Sequence, residues 1–284
     1  MNERMESSKA VETVSRGRRH PSGASAGHGI ELSTPSVLWV VLVMTVLTYL
    51  VTWVSPVDRD LTDIGRWLLA GEAVKLALWF FVVGMLGWWR VGGLAIEAVS
   101  ARIVLALAAL SLATVLVVVG EKAIPGGAAY GVFLVLALLL GALREEVAFR
   151  GFLLHGLTMR LGATSAILVT SMLFAAYHLP RYLREHRSPA EMGALLLVAF
   201  GVGVFLCLVR IHTGSIWLPA LIHGLWNTLV DVGRWTFPAG ELPDAYVVLQ
   251  TVPFAVGIVM ALFLALRGIS GLPGIAVASR RSTG

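Results

Sequence analysis

Apolar residues in this chain come in long, nearly unbroken runs separated by short polar interruptions. They do not alternate as a half-buried strand would. Eight runs are legible, near 37–54, 67–89, 102–120, 128–157, 163–179, 191–210, 214–231 and 246–266. A helix crossing a bilayer needs about 20 apolar residues, within a range of about 17–25. Most of the runs meet that length, so the pattern predicts an all-α, polytopic transmembrane helix bundle of about eight spans. Two runs fit less well. The second carries Glu72 and Lys75, which this reading sets at a membrane interface, and the fourth is long enough for a span plus a bend near Gly151. Pro125, Pro180, Pro189, Pro243 and the Gly126–Gly127 pair punctuate the connections. Trp88, Trp89, Trp217 and Trp235 fall near run ends, where aromatic belts form.

Outside the runs the chain is polar. Residues 1–35 are rich in Ser, Gly and charge and predict a disordered basic tail. Residues 36–267 then form one transmembrane domain, and 268–284 a short polar tail. The first apolar run starts too late, and is too long, for the h-region of a cleaved signal peptide.

Composition agrees with the pattern. The chain is 57% hydrophobic and 14% charged, against about 45–50% and about 25% for a soluble domain. The surplus of apolar side chains needs lipid to face, so the bilayer is the first expected partner. Net charge is +5, but the basic residues sit in tails and short loops with no basic, aromatic-interleaved face, so no nucleic-acid partner is expected. Lys and Arg in the flanks favour both termini on the cytoplasmic side, although Arg181, Arg184 and Arg187 oppose that assignment. The compact chain points to a multi-pass protein of a bacterial plasma membrane. Cys207 is the sole cysteine, which excludes an intramolecular disulfide and reads as a small core residue.

Ionisable groups inside a membrane are costly and mark functional sites by default. Three clusters qualify. In Arg144-Glu145-Glu146-Val147-Ala148-Phe149-Arg150, helical spacing lets Glu146 and Arg150 pair on one face. Glu145 lies about 100° away around the helix and stays available as a base. In Phe174-Ala175-Ala176-Tyr177-His178, the histidine closes an apolar helix just before Pro180. In Gly214 to Thr228, His223 and Asn227 share a face one turn apart, and both offer hydrogen bonds to the bundle interior. Each cluster alone also fits a blander role: interfacial charges, a helix cap, or interhelical polar glue.

Taken together, Glu-Glu-x3-Arg, Phe-x3-His and His-x3-Asn, in that order on successive apolar helices, resemble the CAAX-protease and bacteriocin-processing family of intramembrane endopeptidases. The strings EEVAFRGFLL and GSIWLPALIHGLWNT carry the likeness most closely, which covers roughly residues 128–230. The resemblance implies a hydrolytic cavity inside the bundle, open to the membrane interface, acting on a membrane-associated protein or peptide. Glu145 would match the general base that activates water with help from His178. His223 and Asn227 would match the oxyanion-stabilising pair, and Glu146 with Arg150 the structural pair.

Relatives of this family are often called metalloproteases. A zinc ion held here would take Glu145, His178 and His223 as ligands, which satisfies the three-ligand, open-position rule. No second carboxylate in the motifs is expected to orient either imidazole, and Asn227 suits oxyanion donation better than ligation, so no obligatory metal or other cofactor is expected. No His-Glu-x2-His motif occurs, no Gly-x-Ser-x-Gly motif falls within the apolar runs, and Asp231 stands alone. The competing class is a non-enzymatic membrane protein, such as a scaffold, a bacteriocin-immunity protein or a small transporter, that reuses the polar cavity.

Overall fold

The computed structural model describes residues 34–53, 61–89, 91–94, 127–236 and 244–267. Their regular structure is helical throughout: α1 (Thr34–Trp53), α2 (Leu61–Leu86), α3 (Gly127–Glu146), a π-helical segment (Val147–Leu153), α4 (Leu154–Arg184), α5 (Pro189–Thr213), α6 (Trp217–Thr236) and α7 (Asp244–Arg267). The expected run 102–120 and both tails lie outside the described residues.

Most of these helices are apolar all the way round, which suits burial within a bundle and contact with lipid rather than water. The outer faces bear this out: Trp39 is 65% exposed, Phe81 62% and Leu266 84%. In water such a belt would drive association; in a bilayer it is ordinary. Among the described residues two helices, Ile64–Leu86 and Pro189–Thr213, are long and apolar enough to cross a membrane.

Local sequence sets the breaks. Gly162, at φ 73° and ψ 164°, divides α4, a conformation with little steric cost only for glycine. It falls where the fourth and fifth apolar runs part. Ser188 caps α5, with Pro189 in the first turn and Glu191 completing a reciprocal capping box. Pro180 does not break the chain as expected. It sits inside α4, which continues to Arg184. The expected bend near Gly151 is instead a π-helical stretch whose seven residues are all buried.

Helix pairing places the site. α2 packs on α3, α3 on α6, α4 on α5, and α5 on α7. The α5–α7 crossing is so close that a Cβ on Gly257 would run into the Gly201 backbone, so only small residues fit there. The core is dense around the π segment. Trp79 of α2 stacks on Phe152 with ring centroids 6.1 Å apart, and Trp88 approaches the same ring at 5.3 Å. Trp88 is therefore a core residue and not part of an aromatic belt. Trp217 likewise turns inward, its indole N–H donating to the Leu94 carbonyl at 3.1 Å. Glu72 and Lys75 also depart from expectation. They face the bundle interior, where Glu72 pairs with both Lys75 and Arg144.

Candidate active site

The site is built where α3 runs into the π segment, facing α4 and α6. Glu146 and Arg150 are both fully buried, and Arg150 Nη1 donates to Glu146 Oε1 at 2.7 Å. Arg150 is further held by the Gly203 carbonyl, 3.2 Å from Nη2, and by the Phe174 ring, whose centroid lies 4.2 Å from the guanidinium carbon. A buried charge of this kind needs such multiple partners to offset its desolvation.

Glu146 has a second role that spacing along the chain did not reveal. His223 Nδ1 lies 2.9 Å from the same Oε1. A carboxylate flanked by Arg150 accepts, so Nδ1 carries the proton and Nε2 is turned the other way. That Nε2 stands 3.8 Å from Glu145 Oε2. His178 is oriented by the same logic: its Nδ1–H donates to the Phe174 carbonyl at 2.8 Å, leaving Nε2 for the site. Glu146 thus orients His223, against the expectation that no second carboxylate in the motifs would orient either imidazole, whereas His178 is oriented by a backbone carbonyl.

Phe174 organises these groups. Its ring meets His178 edge-on at 4.8 Å, His223 at 5.6 Å and Phe149 at 5.2 Å, and Arg150 covers its face. The aromatic position of the Phe-x3-His motif therefore fixes two histidines and one arginine at once.

Glu145 is set differently from Glu146. Its side chain is 13% exposed, with Oε1 3.2 Å from Arg144 Nη2. Oε2 is buried and meets no hydrogen-bond partner among the described residues. Arg144, in turn, donates to Glu72 Oε2 and to the Tyr177 hydroxyl, each at 2.9 Å. Sequence reasoning missed this network, although two charges in an otherwise apolar run were its signal.

Two cavities meet here. One, of about 260 Å³, lies among α4, α5, α6 and α7 and is lined by His223, with Leu195, Val198, Trp226 and Phe254 as apolar wall. The other, of about 480 Å³, lies against α2 and α3 and is lined by Glu145, Arg144, Glu72 and Lys75. His178, Asn227, Arg181 and Glu185 line both. The four motif residues do not share one chamber. Glu145 faces the larger, His223 the smaller, and His178 and Asn227 stand in the wall between them.

A three-ligand metal site does not fit the side chains as they stand. Among the described residues no three His, Cys, Asp or Glu side chains gather closely enough to hold an ion, and one Glu145 oxygen is already engaged by a guanidinium. The smaller groups conform to the sequence reading: Cys207 is fully buried, 3.9 Å from the Ser171 hydroxyl.

Comparison with known proteins adds one match. Residues 127–229, from the start of α3 to the last turns of α6, match the family described as Type II CAAX prenyl endopeptidase Rce1-like. No curated protein and no solved structure matches the chain. The matched span contains all three motifs and ends just past Asn227, so over residues 127–229 the chain is similar to this CAAX-protease family.

Proposed function

We propose that this chain is an intramembrane endopeptidase that hydrolyses a peptide bond near the membrane interface, using Glu145 as general base. The observation that carries the reading is the unpartnered, buried Oε2 of Glu145, 3.8 Å from His223 Nε2, beside the cavity wall formed by His178 and Asn227. A water at Oε2 would lose its proton to the carboxylate as it attacks the scissile carbonyl. His178 Nε2 bears a lone pair in the neutral ring and would accept a second hydrogen bond from the same water. The carbonyl oxygen gains charge as the tetrahedral intermediate forms. The Asn227 amide donates to it in any protonation state, and His223 Nε2 donates when the ring carries its second proton.

The donor set argues for water activated without an obligatory metal. The substrate is a membrane-associated protein or peptide reaching the cavities from the interface, and the protein is multi-pass, with about eight spans and both termini cytoplasmic, in a bacterial plasma membrane.

The test compares peptides released from membranes carrying the wild-type chain with those carrying Glu145→Gln. The variant is expected to fold normally and to release none of the wild-type products. An identical peptide profile would remove the protease reading. Metal-free protein is expected to keep its activity. Stoichiometric zinc, with activity lost on chelation and regained on zinc addition, would instead make His178 and His223 ligands.

A further inference from the structure

The mechanism above uses one oxygen of Glu145 and leaves open what aims it. A carboxylate at the end of a glutamate's three rotatable bonds does not hold a direction unless its other oxygen is tied. Here the tie is Arg144. Its Nη2 engages Oε1 at 3.2 Å, while Oε2 remains without a partner and points to His223. Arg144 is itself fixed from two other helices, through Nε to Glu72 of α2 and through Nη1 to the Tyr177 hydroxyl of α4. Lys75 closes the arrangement by pairing with Glu72. Three nitrogens of one planar guanidinium thus bind three acceptors on three helices, a task that a lysine's single ammonium centre cannot reproduce.

We propose that Arg144 is a positioning residue for Glu145, clamped by Glu72 and Tyr177 so that Oε2 faces the reacting water, and that α2 thereby completes the active site. This rests on the reading of Glu145 as base, and goes beyond it by assigning a role to Arg144 and to a helix outside the family-matching segment. The groups facing Glu145 are Arg144 of its own helix, Lys75 and Glu72 of α2, Arg150 of the π segment, Tyr177 and His178 of α4, and His223 of α6. Arg144 is in hydrogen-bond contact with it.

Carbodiimide labelling tests the clamp without needing a substrate. Dicyclohexylcarbodiimide adds to a protonated carboxyl in an apolar site, and a carboxylate held against a guanidinium is a poor target. The full chain in detergent is treated at neutral pH, and adducts on Glu145 and Glu146 are quantified by mass spectrometry. In Arg144→Gln, Glu145 is expected to label several-fold faster than in wild type, with Glu146 unchanged as an internal reference for the fold. Arg144→Lys, which keeps a cation but not the fork, is expected to fall between the two and to lose most peptide release. If Arg144→Gln proves misfolded, shown by a rise in Glu146 labelling, Arg144→Lys decides. Glu145 labelling at the wild-type rate in a folded Arg144 variant would overturn the proposal. Peptide release lost in Glu145→Gln but retained in both Arg144 variants would sink the clamp while leaving the protease reading intact, whereas no difference between wild type and Glu145→Gln would sink that reading alone.

Discussion

Adjacent glutamates, Glu145 and Glu146, occupy opposite electrostatic settings, and the difference lies in which neighbours reach them. Glu146 is sealed, with Arg150 and His223 on one oxygen. Glu145 opens on a cavity. Arg150→Ala would leave Glu146 buried without its cation, a change that typically costs about 3–5 kcal/mol. It should appear as a large loss of thermal stability in detergent and of expressed protein. A normal melting temperature with activity gone would move Arg150 into the reaction itself. Asn227 behaves differently. Its amide lines both cavities, and Asn227→Ala should lower turnover by about 10²–10³, the usual loss of one oxyanion donor, with stability unchanged. Turnover within a few-fold of wild type would show that the developing charge is met elsewhere.

At the level of elements, the corner between α4 and α5 joins the site to the surface. Glu185 takes hydrogen bonds there from Arg181 at 2.8 Å and from Arg187 at 3.1 Å. Partial burial would push its carboxyl up, but the two guanidinium groups outweigh that and hold it below the ordinary 4.5. A carboxyl lowered on folding stabilises the folded form above its unfolded value and loses that contribution as pH falls through the folded one. The corner should therefore loosen below about pH 4.5. Limited proteolysis at 185–188 should show faster cutting at low pH in the wild type and a flat response in Glu185→Gln. A flat response in both would mean the ion pairs hold nothing. The break before α5 was readable in advance from Pro189, whereas the Ser188 and Glu191 capping box was not read there. The course of α4 past Pro180 was not readable. Proline removes one backbone donor, yet the helix continues through it to Arg184.

On the scale of the whole molecule, eight apolar runs predict that both ends lie on one side of the membrane. Reporter fusions at the two termini check it: matching cytoplasmic signals are expected, and opposite ones would delete a span. Helix content and the identity of the three motifs were legible because hydropathy and i,i+4 spacing are local properties. Their convergence was legible only through the family resemblance. What could not be read was partnership across helices. Nothing along the chain pairs Glu72 with Arg144, 72 residues away, or shows that Glu146 holds His223 as well as Arg150. Glu72 and Lys75 were visible as anomalies in an apolar run, but polarity alone does not distinguish a side chain seeking the interface from one seeking a buried counter-charge.

The two chambers that share the His178 and Asn227 wall have a kinetic consequence. Compounds seated in the smaller chamber reach His223 and Asn227 but leave the Glu145 side open. Such a compound would occupy the groups that meet the scissile carbonyl oxygen and leave the base free. A second inhibitor bound beside Glu145 would then add to the first and not displace it. Inhibition plots for a pair of such compounds would intersect, where a single shared chamber would give parallel lines.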